Sequence, residues 1–344
     1  MTRVAVVGAG MVGATTAARI AEARLCDDVA LIDVAGDLAR AMALDIGSSL
    51  PLLGSDTTLS GGESYQWARG SDVVVITAGR PRQPGQSRAD LLEGNGRIVA
   101  DVCRQLRSAA PDAVVIVVTN PLDEMTTLAQ DALGFPPERV VGMAGLLDTA
   151  RFRHFLAERA RVPASRVDAL TLGSHGDTMV PLSRSATIAG RPAGETLGEA
   201  ALAEVVQRTR EGGAEVVRLL QRGSAYWAPS AAVMLMVRAI LRDEQVVLPV
   251  AARLSGQFGI DGVYVGVPAR LGRGGVSEIV ATGLDEGEVA AVRAAAEEVR
   301  SRVADLHELG LMRSDSNPAR APSSTDGSMT PRAALVDAVR GTLL

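Results

Sequence analysis

Within its first two dozen residues the chain runs from an apolar segment, RVAVV at 3–7, into GAGMVG at 8–13 and directly on into a helical pattern. A turn that short, joining a strand with no polar side to a helix, requires the helix to fold back over a sheet covered on both faces. The three glycines have separate uses. Gly8 allows the tight turn, Gly10 lets the backbone approach a pyrophosphate, and Gly13 lets helix and strand pack closely. The amides at the helix start, with Met11 and Val12 in its first turn, are left free to bind phosphate oxygens. Glycine turns between strand and helix also occur without a ligand, so the context decides. Here Asp33 ends the second apolar run twenty residues after Gly13, where a carboxylate accepts from both ribose hydroxyls. That charge repels a 2′-phosphate, so the cofactor expected is NAD and not NADP.

The same alternation continues. Apolar runs at 29–32, 72–77 and 113–119 are separated by helical patterns at 12–24, 38–46 and 91–107, with another helix after Pro121. Short apolar strands joined by helices predict a doubly wound α/β (Rossmann) domain with a parallel sheet, over 1–144. After residue 145 the pattern changes to long helices at 146–161, 197–220, 226–241 and 285–307, mixed with strands at 167–171, 245–250 and 262–268. A second, α+β substrate domain is expected over 145–312. Beyond Met312, RSDSNPARAPSSTDGSMTP is too poor in apolar residues to order itself, which predicts a flexible tail over 313–344 with at most a marginal amphipathic helix at 332–344.

Composition excludes several functions. A formal net charge of −5 and 3% aromatic residues provide neither phosphate attraction nor stacking platforms, so no nucleic acid partner is expected. No apolar run approaches the roughly 18 residues that cross a bilayer, so no membrane span is expected. MTRVAVVGAG has none of the apolar core and cleavage site of a secretory leader, which predicts a cytoplasmic protein. Cys26 and Cys103 lack ligand spacing and read as reduced thiols, with no metal site. The chain contains 35 basic residues, all of them arginine. With no lysine, a Walker-type phosphate loop and Schiff-base chemistry are ruled out, and any anion held by a side-chain cation meets a planar guanidinium suited to carboxylate.

Three segments could supply chemistry. TAGRPRQPGQSRADLLEGN, 77–95, leaves the end of a strand and places Arg80, Arg82 and Arg88 among glycines and prolines, over the position where a ligand of an open α/β sheet binds. It reads as a mobile lid or as a solvated arginine-rich loop. LLDTARF sets Asp148 and Arg151 three residues apart on one helix face, a spacing that also suits a plain salt bridge. His175, one of three histidines, lies between glycines just after an apolar strand and is better placed than His154 or His307 to carry a proton.

GAGMVG, TAGRPRQPGQSR, VTNPLD, and LDTARFR followed by GSHGD occur in that order, and over residues 3 to 312 the chain resembles the lactate and malate dehydrogenase family. The resemblance implies that His175 is the general acid/base, that Asp148 holds its other ring nitrogen, and that Arg151 grips the substrate C1 carboxylate. It assigns carbonyl polarisation to Arg88 and contact with the reacting oxygen, near the nicotinamide, to Asn120. Cofactor contacts are implied for Gly8, Gly10, Met11, Val12, Gly13, Asp33, Thr77, Ala78, Gly79, Asn95, Val118 and Asn120. Arg82, six residues before Arg88, matches the position where malate-specific members are similar in carrying arginine and lactate-specific ones carry glutamine. Ala225, in GSAYWAP, matches a pocket position where a small residue makes room for the longer acid. A dicarboxylate, malate or oxaloacetate, is therefore the expected substrate, with lactate and a non-catalytic dinucleotide sensor as alternatives. A homotetramer is the expected assembly, with a homodimer as the second choice.

Overall fold

The computed structural model describes residues 1–81, 87–221, 223–281 and 283–313. Its first part follows the alternation: β1 (Arg3–Val7), α1 (Met11–Glu22), β2 (Asp28–Ile32), α2 (Gly36–Ser49), β3 (Thr58–Gly62), β4 (Val73–Ile76), α3 (Arg88–Ala109), β5 (Val114–Val117), α4 (Leu122–Leu133) and β6 (Val140–Gly142). The six strands are parallel in the order β3-β2-β1-β4-β5-β6. Their side chains alternate between two cores. Val4, Val6, Val73 and Val75 pack with Ile20, on α1, and Ala39, on α2. Ala5, Val7, Val74 and Ile76 pack with Val99, on α3, and Met125, on α4. Both faces are covered, which is why these strands read as unbroken apolar runs.

The sequence reading misses β3, whose residues are TLSGG. A Cβ on Gly61 would stand 2.2 Å from the carbonyl oxygen of Ala39, so glycine is needed where α2 crosses this strand, and that glycine makes the strand look like a loop.

The second part contains α5 (Gly145–Ala160), β7 (Val167–Asp168), β8 (Thr171–Gly173), β9 (Met179–Pro181), β10 (Thr187–Ile188), β11 (Arg191–Pro192), α6 (Ala193–Leu197), α7 (Glu199–Leu220), α8 (Trp227–Leu241), β12 (Val246–Ser255), β13 (Asp261–Gly272), β14 (Gly275–Ile279) and α9 (Glu286–Glu308). Two expectations are corrected here. The single strand over 167–171 is two short ones, because Asp168 pairs with Thr187 in a small sheet while Thr171 pairs with Pro181 in the large one. The single helix over 197–220 starts instead at Glu199, behind the separate α6, because Gly198 has φ 81, outside the helical region.

The large sheet also crosses between the two parts, continuing from β6 antiparallel through β12, β13, β8 and β9, with β14 beside β13. The crossing is close, since a Cβ on Gly142 would come within 2.8 Å of the Cβ of Ala251 opposite it. One core therefore runs from Val4 to Val267, and both halves of the cleft above the strand ends rest on it. Among the described residues no helix is long and apolar enough to cross a membrane. Arg313 is anchored, its amide 3.1 Å and its Nε 3.2 Å from the Asp131 carboxylate. The rest of the expected tail, with the helix expected at 332–344, lies outside the described residues.

Candidate active site

The carboxyl ends of β1, β4 and β5 open onto a cleft of about 730 Å³. Its floor is the glycine turn. Gly8 has φ 105, and a Cβ there would lie 2.6 Å from Oγ1 of Thr77. A Cβ on Gly13 would meet the carbonyl oxygen of Gly8 at 1.8 Å, so the third glycine sets the helix-to-strand distance. At Gly10 nothing stands within 4 Å of where a Cβ would be, which leaves the approach to the backbone open. The first intrahelical bond of α1 runs from the Ala14 amide to the Gly10 carbonyl at 2.9 Å, so the amides of Met11, Val12 and Gly13 precede it and face the cleft end of the helix dipole. At the end of β2, Asp33 accepts the Ala9 amide at 2.7 Å on Oδ2 and the Ala35 amide at 2.9 Å on Oδ1. Each carboxylate oxygen retains a lone pair for a hydroxyl. An open glycine, unpaired amides and an oriented carboxylate fit the pyrophosphate and ribose of a dinucleotide.

The opposite wall supplies the titratable groups. Asp148, on α5, is 2% exposed, and its Oδ2 lies 2.7 Å from Nδ1 of His175, on the turn after β8. Its Oδ1 accepts from Nη1 of Arg151 at 3.3 Å. Burial alone would lower the imidazole pKa, but the charge and hydrogen bond of Asp148 outweigh it and hold the ring above its ordinary value. With Nδ1 engaged, Nε2 is the nitrogen left for a ligand. His175 and Arg151 both line the cleft, so a proton carrier and a guanidinium face the same space as the dinucleotide floor.

Of the other expected residues, Gly10, Met11, Val12, Gly13, Thr77, Gly79, Asn95, Val118, Asn120 and Ala225 line the cleft. Gly8 and Ala78 lie behind its wall, with the Ala78 carbonyl accepting from Thr119 Oγ1 at 2.7 Å. The Asn95 amide group is engaged by main chain: Oδ1 accepts the Arg80 amide at 2.8 Å, and Nδ2 donates to the Asn120 carbonyl at 2.6 Å. These bonds tie the segments of Arg80 and Asn120 together at the cleft wall. Arg88 opens α3, but its side chain, like all of Arg82, lies outside what the structure describes.

Sequence reading does not find the contribution of α7, where Gly213, Val217 and Leu220 also line the cleft. A signal was present. Gly212 and Gly213 sit together inside a helix, a costly choice, and a Cβ on Gly212 would stand 3.3 Å from Cδ of Arg151. The pair lets α7 approach α5 closely enough to wall in Arg151.

A dinucleotide floor facing a buried carboxylate–histidine pair defines a site built to move a proton beside a bound nucleotide. Family models agree with it. The lactate/malate dehydrogenase NAD-binding domain matches residues 2–142, and the lactate/malate dehydrogenase alpha/beta C-terminal domain matches 146–309. The chain belongs to the lactate/malate dehydrogenase family, and its amino-terminal part is that family's NAD-binding domain. It is 47% identical over 298 residues to a malate dehydrogenase of Chloroherpeton thalassium, covering 87% of this chain and 96% of that one. The structure of a malate dehydrogenase from Salinibacter ruber superposes with a TM-score of 0.85 at 43% identity, over 90% of this chain and 99% of that one. A lactate dehydrogenase from Cryptosporidium parvum, solved with lactic acid and NAD, also superposes at 0.85, with 37% identity over 89% and 98%.

Proposed function

We propose that the chain catalyses the reversible oxidation of (S)-malate to oxaloacetate with NAD, in a cleft between an NAD-binding domain, 1–144, and a substrate domain, 145–312. The observation that carries this reading is the 2.7 Å pair of His175 and Asp148 facing the dinucleotide floor. Bound NAD supplies the hydride acceptor for C2. His175 Nε2 takes the substrate hydroxyl proton, and Asp148 fixes the tautomer and stabilises the imidazolium. Arg151 takes the C1 carboxylate as a two-pronged pair. Arg88 polarises the carbonyl and Asn120 donates to the reacting oxygen. The specificity residue is Arg82, whose cation pairs with the second carboxylate. With pyruvate that charge has no partner, and the missing pair costs several kcal/mol. In the same reading the protein works in the cytoplasm as a homo-oligomer, a tetramer or a dimer.

The test is NADH oxidation with oxaloacetate and pyruvate side by side. The expected kcat/KM ratio favours oxaloacetate by about 100-fold or more, equivalent to about 3 kcal/mol. Equal turnover of pyruvate would replace this reading with lactate oxidation. His175→Asn should keep NADH affinity and lower kcat by about 10² to 10⁴, and a variant with normal turnover would remove the proton-transfer role.

A further inference from the structure

Behind His175 lies a second carboxylate that the proton chemistry above does not use. Asp123, in the first turn of α4, is 1% exposed. Its Oδ2 accepts the main-chain N–H of His175 at 2.9 Å, across 52 residues of sequence. Its Oδ1 is buried with no hydrogen-bond partner among the described residues. A buried carboxylate so incompletely satisfied is costly for stability, and an apolar residue of the same volume would serve the core as well. Its position is therefore explained by the turn it holds, through the His175 N–H on Oδ2 and through the neighbouring Ser174 hydroxyl.

The surrounding groups act on the same turn. Glu124, also 1% exposed, is ion-paired with Arg302 of α9, and Nη2 of Arg302 donates to Oγ of Ser174 at 3.0 Å. Two consecutive residues of the turn, Ser174 and His175, are thus tied by side chains to two consecutive residues of α4, directly or through Arg302. Three residues before Asp123, the same segment carries Asn120 in the cleft. The turn bearing the imidazole is located relative to the nucleotide-side wall by α4 itself.

We propose that Asp123 is a positioning residue for His175: by accepting its main-chain N–H, it sets the imidazole at the distance from the nucleotide floor that proton transfer requires. The inference rests on the acid/base reading of His175. Misplacing a reacting group by about 1 Å costs up to about 100-fold in rate, so the effect falls on kcat and not on nucleotide binding.

The experiment compares Asp123→Ala, Asp123→Asn and His175→Asn for kcat with oxaloacetate and for NADH affinity by fluorescence titration. Asp123→Ala should lower kcat about 10- to 100-fold while the NADH Kd stays within about twofold. Asp123→Asn should recover most of the rate, because its amide oxygen still accepts the N–H. Should the alanine variant not fold, Asp123→Leu fills the volume without an acceptor and should show the same loss. An inactive His175→Asn beside an acceptor-less variant of normal kcat would overturn the inference alone. An asparagine variant as slow as the alanine one would also overturn it, because charge and not the acceptor would then matter. A fully active His175→Asn would instead overturn the acid/base reading, and this inference with it.

Discussion

At the residue scale three neighbours set the imidazole to which the proposed function assigns proton transfer. Asp148 holds the ring pKa up and takes Nδ1, Arg151 opposes it with like charge, and Asp123 holds the peptide behind it. Reduction of oxaloacetate needs the protonated ring and malate oxidation the neutral one, so the two directions have opposite pH dependence. In Asp148→Asn the supporting charge is gone and the ring loses its proton at lower pH. The pH above which kcat/KM for oxaloacetate declines should move down, with kcat reduced by about 10²-fold or more. A pH profile superimposable on the parent's would separate Asp148 from the proton. Arg82→Gln tests substrate choice. It should weaken kcat/KM for oxaloacetate by about 10²-fold or more while pyruvate gains, and steady-state kinetics showing no change in either would shift the second-carboxylate role to another group, with Arg80, which lines the cleft, the first to examine.

At the scale of elements, glycines set how closely helices approach. Gly212 and Gly213 weaken α7 as a helix by about 0.5–1 kcal/mol each relative to alanine. Their surroundings differ. A Cβ at 213 would meet only the Arg151 guanidinium at 3.7 Å or beyond, ordinary contact, whereas one at 212 would press on Arg151 Cδ and Phe155 Cε2, both at 3.3 Å. Gly213→Ala should therefore raise the urea midpoint by an amount equivalent to about 0.5–1 kcal/mol, and Gly212→Ala should show little or none of that gain. Equal gains would mean that the α5–α7 approach is not limited by these atoms. Element boundaries were legible wherever apolar periodicity was strong, as in β1, β4, β5 and α9. They were not where tertiary contact chose the residue, as in β3, where Gly61 serves the crossing of α2 and Gly62 makes room for Trp67.

At the scale of the whole molecule, the buried site affects stability. Burial and the neighbouring charge of Glu124 push the Asp123 carboxyl up to about 7 from 3.8. A carboxyl whose pKa is raised on folding binds its proton more tightly in the native state, so its contribution is lost as pH rises from 3.8 to about 7. His175, also held above its ordinary 6.5, adds a loss that begins at that pH and continues to its folded value. The urea midpoint of the parent should therefore carry a decline as pH rises from 3.8 to about 7 that Asp123→Asn reduces. An equal decline in the variant would show that Asp123 does not titrate across that interval. The site thus ties folding stability to pH by keeping three acids, Asp123, Glu124 and Asp148, buried beside a partly buried His175 at the junction of α4, α5 and β8.

What the linear chain made legible by itself was the nucleotide half and the candidate proton carrier. GAGMVG and Asp33 are legible locally because strand, turn and helix are contiguous: Gly13 answers a clash with Gly8 inside that segment and Gly10 leaves the backbone open, although Gly8 also answers a clash with Thr77 at the end of the neighbouring strand. His175, Asp148 and Arg151 were named from motif order. The pairing of Asp148 with His175 across 27 residues was expected only through the family resemblance, whereas tertiary structure alone decided that the Asn95 amide group is held by main chain and that α7 closes over Arg151. It alone showed that Asp123 accepts the main-chain N–H of His175. These depend on distances between segments remote in sequence, which are set by packing against a common sheet and leave no periodic trace in the residues that meet.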